Sequence, residues 1–486
     1  MLGFAPFGLA WLPPALLALL FLQWRTASPR DAAGCGYAFG LGLFGCGVPW
    51  LFVALAGFGE MPAPAAAVAT AGVVAYLALW PALAGYAAVR LTPSGGAARL
   101  VACAATWTLA EWLRGYVFTG MPWLSFGYAA PAGGALAGYA PLGGVFLVSL
   151  AYAGIAACIA SMVDALAGRR ARMAAPVLVA ALVIGAGALA ARASWTAPVA
   201  PPLKVSLVQG NVEQDVKFDP AFRTRTFELY RGLVARSQGT LVVLPESAFP
   251  MFAEHVPAEV LQDLADVGAR RGGLVLVGFF TADAPLPGSR EPRYYNTVAA
   301  LGGGDVALYR KHHLVPFGES IPLKPLVAPI VDALLAIPLA DQTAGEADQP
   351  AFVVAGHRVA VNICYEDAFG SELIGAAHRA DLLVNVTNDA WYGRSIAALQ
   401  HNQIAAMRAQ ELGRPMLRAT NTGITSAIGA DGREIARLPW FTEGVLEVVV
   451  EGRSGLTPYA RVGDAAVLVL SAALLLGAAF VAKRRK

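Results

Sequence analysis

The sequence predicts a membrane α-helical bundle followed by an α/β domain, with one more membrane helix closing the chain. Three observations carry that reading. Of 486 residues, 57% are hydrophobic and only 14% are charged, an unusual balance for a soluble protein. The polar residues are concentrated, with all six histidines and most acids between Lys204 and Glu451. Within that stretch, strand-like and helix-like segments alternate, as in a layered α/β domain. The formal net charge of +3 is too small to point to a nucleic-acid partner.

Apolar runs long enough to cross ~30 Å of hydrocarbon occupy Phe7–Trp24, Gly34–Ala56, Ala65–Val89, Leu100–Thr119, Pro141–Ala165 and Ala174–Ala191, and a seventh covers Ala465–Ala482. They place a bundle of six spans over residues 1–195, a polar domain over 203–452 and a final span over 465–482. Helices of a soluble bundle would carry polar faces, which most of these runs lack. Gly36 and Gly40 allow close helix contact. Glu111 and Arg114, one helical turn apart, read as a pair near an interface.

Orientation follows from the basic residues between runs. Arg25, Arg30, Arg90, Arg99, Arg169, Arg170 and Arg172 mark alternate connections, and Lys483, Arg484, Arg485 and Lys486 close the chain. The connections at 58–64 and 120–140 contain neither Lys nor Arg. Basic connections in the cytoplasm put the polar domain outside. The same alternation leaves the N-terminus outside without a basic leader, which points to one further helix ahead of the first run.

After a linker with three prolines (Ser194–Pro202), Lys204–Asn211 reads as a strand, Phe222–Ser237 as a helix and Leu241–Ser247 as a buried strand reaching Glu246. A helix over Val256–Arg271 precedes strands at Leu274–Phe280 and Asn296–Gly302. Ala307–Ser320 starts extended and becomes a loop. A strand from Val359 ends at Cys364, and another covers Asp381–Asp389. Ser395–Leu412 is helical, Met416–Gly429 is an extended pair with a turn, and Val445–Glu451 is the last strand. Ile321–Ala340 is apolar and broken by prolines. It reads either as a loop packed on its own domain or as a hydrophobic arm over the active site.

Cys364 is the candidate centre of chemistry. The other four cysteines (Cys35, Cys46, Cys103 and Cys158) lie in apolar segments, so no disulfide can form within the polar domain. A buried structural thiol is the ordinary reading of such a cysteine. The abrupt change to Tyr365, Glu366 and Asp367 favours a nucleophile at a strand end, since thiol reactivity depends on local charge. Glu246, also at a strand end, can take the thiol proton. Lys311 can lower the thiol pKa and stabilise an oxyanion, with the backbone N–H after Cys364 as a further donor. His312 or His313 is the competing base, although no papain or caspase signature surrounds Cys364. A zinc site at the two histidines lacks further ligands at suitable spacing.

LPES around Glu246, RKHHLVPFGE around Lys311 and ICYED around Cys364 together resemble the nitrilase, or carbon–nitrogen hydrolase, superfamily. LVPFGES, NDAWYG, QHNQIAAMRAQELGRP, ATNTGIT and GLTPYARVGD resemble its apolipoprotein N-acyltransferase family, over nearly the whole chain. The resemblance implies a nitrilase-like αββα sandwich inserted before the last transmembrane helix, in a multi-pass protein of the bacterial inner membrane with its catalytic domain on the periplasmic side. It implies Glu246 as proton acceptor, Lys311 as oxyanion and thiolate stabiliser and Cys364 as nucleophile. Glu319 matches a glutamate supporting the lysine, and Tyr365 and Glu366 match residues flanking the nucleophile. Phe218 stands where some members carry Trp, and Phe218 and Trp391 are the expected substrate contacts. The implied reaction moves a fatty acyl chain from a phospholipid to the N-terminal α-amino group of a diacylglyceryl-cysteine lipoprotein, through a thioester, with no metal or dissociable cofactor. The chain departs from the family's usual eight membrane helices in showing seven.

Two rivals remain at this level. A membrane-tethered amidase acting on a soluble amide would use the same residues but would need neither arm nor bundle. A transporter with an external binding domain would show ionisable residues in several spans or an inverted repeat, and neither is evident.

Overall fold

The computed structural model describes residues 1–93, 96–168, 173–285, 287–288, 292–302, 304–321 and 341–484. The segment read as a hydrophobic arm lies, after Ile321, outside the described residues. The chain forms two compact units. One comprises Met1–Pro49, Ala67–Trp195 and Thr457–Lys486, and the other Trp50–Ala66 with Thr196–Leu456.

The first unit is helical, with long helices at Leu12–Thr26, Pro29–Gly47, Ala63–Leu91, Gly96–Arg114, Ala140–Gly168, Ala174–Ala190 and Ala465–Arg484. Local chemistry sets several ends. Ser28 caps the second helix by accepting from the Asp31 N–H, with Pro29 in the first turn, where its missing donor costs nothing. A Cβ on Gly36 would stand 2.4 Å from the Pro81 carbonyl oxygen, and one on Gly40 2.7 Å from Ala78 Cα, so these glycines let two helices touch backbone to backbone. Gly144, at φ +70° within Ala140–Gly168, kinks that helix beside the Tyr459 ring. Among the described residues three helices are long and apolar enough to cross a membrane, or four if Pro29–Gly47 and Trp50–Phe58 form one broken span. The run read as one span over Gly34–Ala56 stops being α-helical at Val48–Pro49 and ends in a π-helical turn, Ala54–Phe58.

Glu111 and Arg114 do not form a simple pair. Glu111, 5% exposed, accepts from Trp107 Nε1 at 3.0 Å and Phe126 N at 2.9 Å. Arg114 donates to the carbonyls of Met121 and Trp123 and to Ser125 Oγ. Both side chains tie down the chain that follows their helix, because its backbone polar groups need partners away from water.

The second unit contains two six-stranded sheets. Strands β1 (Ala197–Gln209), β2 (Leu241–Val243), β3 (Leu274–Asp283), β4 (Arg293–Leu301) and β5 (Ala307–Arg310) form one with the last strand, β12 (Gly444–Ser454), in the order β12-β1-β2-β3-β4-β5. The other, β11-β10-β9-β8-β7-β6, comprises β6 (Phe352–Val354), β7 (His357–Ile363), β8 (Leu382–Thr387), β9 (Met416–Thr420), β10 (Ser426–Ile428) and β11 (Glu434–Arg437). In each, three neighbouring strands run parallel: β1-β2-β3 and β7-β8-β9.

Side-chain alternation builds the layers. Leu241, Val243, Leu274 and Leu276 join Val359, Val361, Leu382, Val384 and Leu417 in one core between the sheets. Val242, Leu244, Val275 and Val277 point the other way, onto the helices Arg223–Arg236 and Ala258–Arg270. Ala397–Leu412 packs on β9 and β10. The result is a nitrilase-like αββα sandwich. The Pro-rich segment read as a linker is the first half of β1, paired with β12 from Ala197↔Ser454 onward. The register shifts between Val199 and Leu203, a bulge that accommodates prolines lacking a ladder donor.

Candidate active site

In a parallel sheet the functional groups collect beyond the carboxyl ends of the strands. Glu246 follows β2, Cys364 follows β7 and Lys311 directly follows β5. The structure brings all three together, along with Glu319 and Glu366.

Lys311, 1% exposed, donates from Nζ to Glu319 Oε1 at 2.7 Å and stands 3.6 Å from Glu246 Oε1. Its main-chain N–H bonds the Asn296 carbonyl. Burial works against its charge, but Glu319, Glu246 and Cys364 outweigh it and hold the ammonium above the ordinary lysine range. Glu246 accepts from Asn296 Nδ2 at 2.7 Å on Oε1 and from the Asn388 N–H at 2.8 Å on Oε2. Its carboxylate is thereby fixed from both sheets.

Cys364 is buried, at φ +52°. A non-glycine residue there is strained and persists only where its surroundings hold it. Two groups hold its carbonyl: Asn385 Nδ2 at 3.1 Å and His401 Nε2 at 3.3 Å. Burial first, then the Glu246 carboxylate, pushes the thiol well above its usual pKa, while Lys311 pulls it down. In its resting state the site therefore contains a thiol, and the thiolate forms when a base takes the proton.

Glu366 binds the Cys364 turn to the Lys311 strand. Its Oε2 accepts from the Ile363 N–H at 2.6 Å and Tyr309 Oη at 2.9 Å. Its Oε1 accepts from the N–H groups of His312 and His313 at 2.7 and 3.1 Å. Burial raises its pKa against these donors and Lys311. Tyr365, half-buried, stands edge-on to His313 and Phe369. His312 Nδ1 contacts the Gly345 carbonyl and His313 Nδ1 contacts Glu372, so neither histidine is aligned as a base for Cys364. Phe218 and Trp391 are both half-buried. They occupy the turns that also carry Lys217 and Tyr392.

A buried ionic layer under Cys364 is absent from the sequence reading. His401 lies between Asp367 (Nε2–Oδ1 2.8 Å) and Asp389 (Nδ1–Oδ1 2.9 Å), and Arg418 Nη1 contacts Asp367 Oδ2 at 2.6 Å. With a carboxylate at each ring nitrogen, both carry hydrogen. Burial opposes the charge, yet Asp367 and Asp389 prevail and lift the imidazolium to about 9. Asn296 and Asn388 were also missed. Asn296 sits in NTVAALG, whose only signal was that of a strand, and Asn388 opens NDAWYG.

Among known proteins, residues 1–158 match the family described as apolipoprotein N-acyltransferase N-terminal domain, and residues 204–459 match the carbon-nitrogen hydrolase family. A protein of Nitrosomonas europaea named apolipoprotein N-acyltransferase is 44% identical, covering 99% of this chain and 96% of its own length. Relatives of the same name from Methylococcus capsulatus and Chromobacterium violaceum are 43% and 41% identical. They match over 99% and 100% of this chain and 94% and 92% of their own lengths. With both parts matched in order and the identity sustained end to end, this chain belongs to the apolipoprotein N-acyltransferase family.

Proposed function

We propose that the protein is a membrane acyltransferase that moves a fatty acyl chain from a phospholipid to the N-terminal α-amino group of a diacylglyceryl-cysteine lipoprotein, with Cys364, Glu246 and Lys311 as its catalytic residues. The observation that carries the mechanism is the placement of Cys364 on a strained, braced turn whose thiol is acted on by both Glu246 and Lys311. Glu246 takes the thiol proton as Sγ attacks the phospholipid ester carbon, and the Lys311 ammonium faces the oxyanion. When the ester C–O bond breaks, Glu246 returns that proton to the leaving lyso-phospholipid alkoxide, and a Cys364 thioester remains. The lipoprotein amine then attacks the thioester carbon. Glu246 accepts a proton from the nitrogen and passes it to the departing Cys364 sulfur, which restores the resting site. Amines attack such a thioester readily.

The basic connections in the sequence support a location in the bacterial inner membrane with residues 203–452 on the periplasmic side, between a bundle over 1–195 and an anchor over 465–482. An amidase acting on a soluble amide is not favoured, since it has no use for the apolar helices. Mass spectrometry after incubation with phospholipid alone tests the proposal. One acyl mass, removable by hydroxylamine, is expected at Cys364 and disappears when acceptor peptide is added. Normal transfer by Cys364→Ala would overturn it.

A further inference from the structure

Lys217 ends the short helical turn Gln214–Lys217 and is 4% exposed. Its Nζ donates to the main-chain carbonyl of Glu246 at 3.2 Å. Lys311 has carboxylates at 2.7 and 3.6 Å, whereas among the described residues no carboxylate comes within ion-pair distance of Lys217. An ammonium has three donors, and burying one without a counter-charge is costly. Such a group beside reactive side chains is a candidate for a working role. The charged and titratable groups that face it are Glu246, after β2, and Cys364, after β7.

The charges around the nucleophile are unequal without it. Lys311 lies closest to Glu319 and balances that carboxylate. Cys364 and Glu246 share one proton and one negative charge. Lys311 also stands 3.6 Å from Glu246, yet its single charge faces both Glu319 and Glu246, which leaves one negative charge at the Cys364–Glu246 pair in excess. We infer that Lys217 is a positioning residue for acyl transfer: anchored on the Glu246 carbonyl, its ammonium balances the single negative charge shared by Cys364 and Glu246. This keeps the pair ionised at working pH in spite of its burial. Burial lowers the Lys217 ammonium to about 8, against the pull of Glu246 and Cys364. The balancing charge is therefore present at neutral pH and is lost as the pH rises past about 8.

The inference rests on Cys364 as the nucleophile, and alkylation of the full-length protein with iodoacetamide, followed as a function of pH, separates the two claims. Lys217→Gln keeps a donor for the Glu246 carbonyl but removes the charge. Its alkylation midpoint at Cys364 is expected to rise by about one pH unit, so that the rate at pH 7 falls roughly tenfold, while Lys217→Arg stays near the wild-type midpoint. A wild-type protein that is not alkylated at Cys364 would defeat the nucleophile assignment. Equal midpoints in wild type and Lys217→Gln would defeat the role of Lys217 alone. If the Gln variant does not fold, acyl transfer in Lys217→Arg decides: its alkaline decline should move upward from about pH 8, and an unmoved decline overturns the inference.

Discussion

At the scale of single residues, the proposed nucleophile Cys364 is held by neighbours with no proposed chemical step of their own. Glu366 is the clearest case, with two donors on each oxygen. Glu366→Gln is nearly isosteric but turns one acceptor oxygen into a donor. Facing the histidine N–H groups it strands both. Turned over, it still faces the Ile363 N–H, although the Tyr309 hydroxyl can rotate to accept. Each stranded group costs about 1–3 kcal/mol, so a fall in Tm of several degrees and slower acylation of Cys364 are expected. A thermal melt and the donor-only mass assay together check this, and an unchanged melt would count against the clamp. Glu246, Lys311, Cys364, Glu319 and Glu366 were legible in the sequence because each sits in a short distinctive motif. Lys217 and Asn296 were not, because nothing local distinguishes a buried lysine or strand asparagine from an exposed one.

At the scale of elements, the approach of β3 to the turn after β2 sets the position of Glu246. A Cβ on Gly278 of β3 would stand 2.6 Å from the Ser247 nitrogen and 2.8 Å from the Pro245 carbonyl oxygen. Both are backbone atoms that can yield only by moving the Glu246 turn. Gly278→Ala is expected to destabilise by about 1–3 kcal/mol through overpacking and to depress acyl transfer beyond its effect on folding. Activity measured well below the Tm would separate the two effects. The helix Ala397–Leu412 contributes through His401. Its pKa is raised from 6.5 unfolded to about 9 folded, so the stabilisation is fully present below about pH 6.5 and is lost as pH rises through about 9. Denaturant midpoints should fall between those values in the wild type and fall less in His401→Asn. Parallel pH curves for the two proteins would show that the imidazolium does not titrate as described.

At the scale of the whole molecule, the prediction is topological. The alternating basic connections predict that the C-terminal cluster lies in the cytoplasm and the α/β unit outside. A reporter active only in the cytoplasm should be active when fused after Lys486 and silent when inserted within residues 302–304. The reverse pattern would overturn the orientation. The assignment of Trp50–Ala66 to the α/β unit was not visible in the sequence, where it reads as the end of one span and the start of another. Trp50 Nε1 donates to Gln400 Oε1 at 3.1 Å, and its ring stands edge-on to Tyr392 at 4.8 Å. Those contacts join residues 350 and 342 positions apart in the chain, which no local pattern encodes.

Hydrophobic periodicity and turn chemistry determined, without further help, the membrane character of the helices, the alternation of strands and helices, and the strand ends that carry Glu246 and Cys364. These are local properties: an apolar run, a β-branched strand or a sharp change to polar residues acts on the chain that contains it. Only the tertiary structure decided that Asn296 and Asn388 hold one carboxylate from two different sheets. It also decided that His401 and Arg418 neutralise two buried aspartates under Cys364, and that a Pro-rich stretch completes β1. Such pairings depend on which strands become neighbours, and burial sets the charge states of the groups they bring together, because desolvation acts only once the chain has closed around them.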